Sequence, residues 1–203
     1  TTGDGNSAFG KDALGANTTS AGNTALGYGA ARTTTTGASN TAVGYLSLKQ
    51  NTTGHSNVSV GFTALQENTT GANNTSVGFQ SGLANTTGSS NTSLGHNSLI
   101  SNTTGSLNTA VGRSALQANT TGAENTATGY NSQLATTTGN YNTSNGSGSL
   151  AVNTTGTSNV AMGLNALVAN TTASNNTAVG TFALTANTTG HSNVAMGLNA
   201  LND

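Results

Sequence analysis

The sequence predicts an all-β chain wound as a parallel β-solenoid, or β-roll, of twelve coils, and three observations carry that expectation. One 17-residue unit repeats along the whole chain with no insertion or deletion. Asn recurs at Asn6, Asn23, Asn40, Asn57, Asn74, Asn91, Asn108, Asn125, Asn142, Asn159, Asn176 and Asn193, and Gly follows four places later, from Gly10 to Gly197. A fixed period of this length means that each unit stacks on its neighbours, so the object is a rod. The unit is too short for a helix pair, and two Gly per unit would break one.

With Asn as place 1, the unit reads Asn-Thr-Ala-Val-Gly-x-x-Ala-Leu-x-x-Asn-Thr-Thr-Gly-x-x. It contains two short strand-like stretches, each closed by a Gly. Parallel coils pair at about 4.8 Å, so twelve make a rod about 58 Å long. Residues 1–203 form one domain. Thr1-Thr2-Gly3 falls at places 13 to 15 and Asp203 at place 11, with no atypical cap sequence at either end. The expectation is a stretch of a longer fibre, or a unit that stacks end to end.

Taken in order around the coil, the Asn of place 1 suits an amide ladder along the axis, and the Gly of place 5 suits a corner at positive φ. Places 3 and 8 hold only Ala or Ser, the mark of a site with almost no room. Place 4 (Phe9, Leu26, Val43, Val60 and so on) and place 9 (mainly Leu, from Leu14 to Leu201) are expected to be the two buried apolar columns. Thr128, Gln133 and Asn145 interrupt these columns, which predicts the weakest stretch at 125–158. Thr at places 13 and 14 reads as strand with one hydroxyl ladder outward. So thin a coil buries little apolar surface, which points to help from backbone ladders and from a homotrimer sharing one apolar column.

Composition bounds the function. Twenty-eight Gly, no Pro, Cys or Trp and only nine charged side chains lie outside the ordinary globular range. A net charge of −1 and scattered Lys11, Arg32, Lys49 and Arg113 give no field for nucleic acid. No apolar run reaches the roughly 20 residues of a membrane span, so membrane insertion is not expected. No Ser, His and acid cluster repeats. His55 and His191 share place 16 but lie eight coils apart, about 38 Å, and cannot act on one atom. Neither catalytic residues, metal ligands nor a cofactor are expected.

Two columns carry candidate chemistry. Place 6 reads Tyr28, Tyr45, Phe62, Phe79, His96, Arg113 and Tyr130 in successive coils, a line of planar groups that suits a ladder covering an edge or a strip for sugar rings. At place 12, Asn17, Asn51, Asn68, Asn85, Asn102, Asn119, Asn153, Asn170 and Asn187 each open an Asn-Thr-Thr triplet, formally an N-glycosylation acceptor, with Thr34 and Thr136 the exceptions.

With Asn-Thr-Ala-Val-Gly (176–180), Asn-Val-Ala-Met-Gly (159–163) and Ala-Leu-x-x-Asn-Thr-Thr-Gly in view, the chain resembles the β-roll heads of trimeric autotransporter adhesins. It is more similar still to the Asn-Thr-Ala-Val-Gly repeats of bacteriophage tail-fibre and related surface-fibre proteins. The resemblance implies a left-handed, trimeric fibre projecting from a cell or virion. Three functions compete: an extracellular fibre shaft with an adhesive role, partnered by itself and by a surface glycan or receptor; an ice-binding solenoid using Thr and Asn ladders at places 12 to 14; and a glycan-binding module using the place-6 strip.

Overall fold

The computed structural model describes residues 3–202; Thr1, Thr2 and Asp203 lie outside the described residues. It is an all-β solenoid with no helix among the described residues. Each unit contributes one three-residue strand at places 2 to 4, from β1 (Ser7–Phe9) and β2 (Thr24–Leu26) through β8 (Thr126–Thr128) and β9 (Thr143–Asn145) to β12 (Val194–Met196). The twelve strands form one parallel sheet in sequence order. Register is one period at every step, as in Thr41 opposite Val58 and Val43 opposite Val60.

The second strand-like stretch is a turn, which corrects the expectation of two strands per coil. Places 7, 9 and 17 are left-handed in coil after coil, including Leu65 at φ 49°, Leu116 at φ 50° and Tyr141 at φ 59°. Side chains resist this conformation by roughly 1–2 kcal/mol each, and here it turns successive N–H groups along the rod. Place 7 donates to the preceding coil (Leu46 N to Tyr28 O, 2.9 Å), and place 9 to the following one (Leu48 N to Ala64 O, 3.0 Å). The threonines of places 13 and 14, such as Thr52 and Thr53, are likewise bends and not strand. The Thr52 carbonyl collects the N–H groups of Thr35, Thr36 and Gly37, and the Thr35 hydroxyl as well.

Two amide ladders run inside the coil. At place 1, Asn57 Oδ1 accepts the Asn74 N–H at 2.9 Å, and Asn57 Nδ2 donates to the Gly71 carbonyl at 2.9 Å. At place 12, Asn68 Nδ2 donates to Asn51 Oδ1 and to that same Gly71 carbonyl, both at 2.9 Å. The two ladders therefore meet at the Gly of place 15, where a Cβ on Gly71 would collide with the Gly88 carbonyl and the Asn68 and Asn85 amides. At place 5, Gly61 has φ 143°, and a Cβ there would strike the Gly78 carbonyl.

Places 3, 8 and 9 form the apolar part of the interior, with Ala42, Ala64, Leu48 and Leu116 buried. Place 8 of one coil touches place 3 of the next, so hydroxyls placed there find each other, as in Ser47 with Ser59 and Ser81 with Ser93. Place 4 faces outward, contrary to expectation: in inner coils Leu26 is 46% exposed, Met162 42% and Val77 37%. A strand alternates faces, and burying the Ala or Ser of place 3 turns places 2 and 4 to solvent.

Thr128 and Asn145 are consequently surface residues, and within 125–158 the apolar interior is interrupted in the coil of β8. There Gln133 fills a Leu site with its Oε1 unpartnered, and Thr136 interrupts the place-12 ladder, leaving Asn119 Oδ1 and its own hydroxyl unpartnered. Thr136→Asn should reconnect Asn119 to Asn153 and raise stability by about 1–2 kcal/mol in denaturant unfolding. Gly61→Ala should lower it by about 3 kcal/mol or more, through positive φ and backbone collision together.

Candidate functional site

A strand face and the corner beside it supply the exposed chemistry. The sheet presents place 2, mostly Thr, and place 4, mostly Val, Leu or Met, over the twelve strands. None of these positions is charged. Past the Gly of place 5 the chain turns, and the side chain of place 6 stands outward at the corner.

The sequence-predicted strip at place 6 is assembled into one column. Ring centroids are 5.4 Å apart for Tyr28 and Tyr45, 5.2 Å for Tyr45 and Phe62, 5.3 Å for Phe62 and Phe79, and 5.0 Å for Phe79 and His96, with interplanar angles of 6–14°. Cations extend it: Lys11 Nζ lies 6.0 Å from the Tyr28 ring and Arg113 Cζ 5.8 Å from the Tyr130 ring. Separations of this size are what axial stacking at strand spacing produces, with a slight offset favoured by the ring quadrupoles. The rings of Tyr45, Phe62 and Phe79 have a neighbour on each face, so they offer solvent their edges. Sugar recognition by stacking uses the face of a ring, and this geometry favours a structural ladder.

The nine place-12 asparagines occupy the second interior ladder. Asn51, Asn68, Asn102, Asn119, Asn153 and Asn170 have no exposure, Asn85 has 2%, and Asn17 and Asn187 near the rod ends are half-buried. Their Nδ2 groups donate to neighbouring amides and Gly carbonyls, as for Asn102 to Asn85 Oδ1 at 2.7 Å and to Gly105 at 2.9 Å. The Asn-Thr-Thr triplets are thus the sequence of a core ladder; in the folded rod the inner ones lie beyond the reach of a modifying enzyme.

The place-1 asparagines sit where the sequence put them, as a ladder along the axis. Place-13 hydroxyls are engaged, each donating to the place-13 carbonyl of the next coil at 3.0–3.1 Å over much of the rod, from Thr35 to Thr154. Of places 12 to 14, place 14 is the one that leaves its Thr exposed over that stretch. A column mostly of Thr runs instead up the strand face at place 2, which sequence reasoning missed. The signal for it was the Ala or Ser at place 3, whose burial dictates the orientation of its neighbours.

Among the described residues no group of three His or acidic side chains gathers to hold a metal. Nor, among those residues, is any helix long and apolar enough to cross a membrane. Hollows in the surface lie at the first coil, lined by Asp4, Asn6 and Leu14, and at the last, lined by Leu184, Asn187 and Leu201, where a coil lacks its neighbour. No protein-family model, curated protein or solved structure matches the chain.

Removing Phe62 breaks two stacks at once. Phe62→Ala should cost about 1–3 kcal/mol in denaturant unfolding at fixed protein concentration. Leu164→Ala, at the same place four coils beyond the stacked run, should cost less. Equal losses would show that the stack contributes nothing of its own.

Proposed function

We propose that this chain is a stiff shaft segment of an extracellular fibre, carried on a cell or virion surface, whose role is to span distance and hold an adhesive element away from that surface. The single observation that supports the reading is the unbroken axial register of all twelve strands. Each coil touches only the coil before and the coil after, so length can be added without altering any contact. A protein shaped by that rule resists bending over its whole length.

The outward chemistry supports the same reading over its two rivals. Ice recognition needs a uniform rank of small groups, and place 4 mixes Phe, Leu, Val, Met and Asn beside the place-2 threonines. Glycan recognition through place 6 would need ring faces that are occupied by neighbouring rings. A mostly uncharged exterior suits a component packed against other fibre material.

Antibodies raised against the folded rod test this directly when applied as gold label to intact particles or cells of the native source. Label along projecting fibres is the expected result. Label confined to the cell interior would overturn the proposal.

A further inference from the structure

We infer that the coil of β8 binds one buried water molecule, which stands in for the amide that Thr136 removes from the place-12 ladder.

The regular coils define what that amide does. At place 12 the Asn nitrogen spends both of its N–H groups, one on the Asn oxygen of the coil before and one on the Gly carbonyl of its own coil, as Asn102 does with Asn85 and Gly105. The same carbonyl takes a second amide from place 1, so Gly105 also accepts from Asn91 at 2.9 Å. In the coil of β8 the sequence supplies no such nitrogen, and two acceptors each lose a donor. Asn119 Oδ1 has no partner among the described residues. The Gly139 carbonyl keeps Asn125 Nδ2 at 2.8 Å and receives no amide from place 12. Reversing the Asn119 amide would cost more than it mends, because its nitrogen already donates to Asn102 Oδ1 at 2.8 Å and to the Gly122 carbonyl at 2.9 Å.

Thr136 does not fill the gap itself. Its hydroxyl is buried and makes no hydrogen bond. A Thr side chain ends one bond sooner than Asn, so polar room remains at this level. In seven other coils the place-12 Oδ1 stands 2.3–2.5 Å from the point where a Cβ on the place-15 Gly would lie. At Gly139 the nearest atoms to that point are Gly156 O at 2.5 Å, Asn142 Nδ2 at 3.1 Å and Asn153 Nδ2 at 3.3 Å, and none belongs to Thr136. Asn153 Nδ2 donates to the Gly156 carbonyl at 3.0 Å, and its other N–H faces the same gap from the next coil.

The donor and acceptor pattern selects water. The group that belongs here must donate twice, to Asn119 Oδ1 and to the Gly139 carbonyl, and accept once, from the Thr136 hydroxyl. Three hydrogen bonds are the usual complement of a buried water. A cation would suit the oxygens but would face the N–H groups of Asn142 and Asn153 across the same space.

The other Thr of the column needs no such guest. Before Thr34, Asn17 Oδ1 already accepts the Ser20 N–H at 3.1 Å and the Ser20 hydroxyl at 2.6 Å, and Asn51 Nδ2 reaches the Thr34 hydroxyl at 3.5 Å. Ser20 sits at place 15 and closes that gap with protein atoms. Gly122 holds the corresponding position before Thr136 and has no side chain to do so. The bound water therefore belongs to one level of the rod, the level at which Gln133 also replaces Leu.

X-ray diffraction from crystals of the parent and of Thr136→Asn, at a resolution that orders solvent, tests the assignment. The parent should show one enclosed water within hydrogen-bond reach of Asn119 Oδ1, the Gly139 carbonyl and the Thr136 hydroxyl, and none between Asn17 and Thr34. Thr136→Asn restores the repeat's usual residue, so the rod should fold, and the introduced amide should displace the water. The stability gain expected of that variant then includes the release of an immobilised water. A parent in which the Thr136 hydroxyl bonds Asn119 directly would overturn the inference. So would a parent with no solvent density at that level, an equal water at Thr34, or a water that stays in place beside the amide of Thr136→Asn.

Discussion

The hydrogen bond from one coil's asparagine amide to the next holds the rest of this structure in place. At place 1 the side-chain oxygen accepts both the backbone N–H and, in much of the rod, the amide of the next Asn, as Asn40 does for Asn57 at 3.0 and 3.1 Å. Its nitrogen reaches across the coil to the Gly carbonyl of place 15, where the second ladder also arrives. A buried amide left half-paired costs more than an apolar residue in its place. These amides are paired on both sides, and each pairing exists only if the next coil lies one period away. A slip of a single residue would orphan two columns of amides at once. The strict period is therefore a consequence of burying polar side chains whose partners are supplied by the neighbouring repeat.

That arrangement explains how so thin a coil holds together with so little hydrophobic surface. The apolar interior is discontinuous, with clusters running from Leu14 to Leu65, from Leu99 to Ala127 and from Leu150 to Ala195. Between the first two, Gly82 and the serines 76, 81, 93 and 98 replace it with a hydroxyl network. Between the last two, Gln133 donates to the Thr126 and Asn142 carbonyls and to the Ser144 hydroxyl. The place-1 amide ladder crosses both gaps without a break. The backbone ladders do as well, so the rod keeps its axis where its apolar core stops.

Much of this could be read from the repeat, and the parts that could not share a physical cause. The solenoid, its parallel in-order sheet, the Asn ladder, the positive-φ corner at Gly61 and the lack of room at Ala42 and Ala64 all follow from residues that tolerate only one environment. Val43 and Leu48 do not discriminate in that way. Both are aliphatic and both recur, yet one faces solvent and the other the interior, and the choice rests on a strand that is only three residues long. Leu at a left-handed φ is equally opaque to sequence, because no propensity favours it; the axial hydrogen bonds of its own backbone impose it. Asn68 opens a triplet that is formally a glycosylation acceptor, a meaning it has in an unfolded chain, and the stacking turns that triplet inward.

The same stacking logic separates the columns that stabilise the rod from the face that remains for use. Place 6 spends its ring faces on its own neighbours along the axis, so its aromatic groups are largely satisfied within one chain. The place-4 column has no such partner. Its aliphatic groups touch the coils above and below only at their flanks and leave their ends to water, from Phe9 to Met196. A rod built by translation repeats any exposed group at every level, so one apolar position per repeat becomes a stripe as long as the molecule. Among the described residues none is free to cover such a stripe, because each is already committed to its own level of the stack.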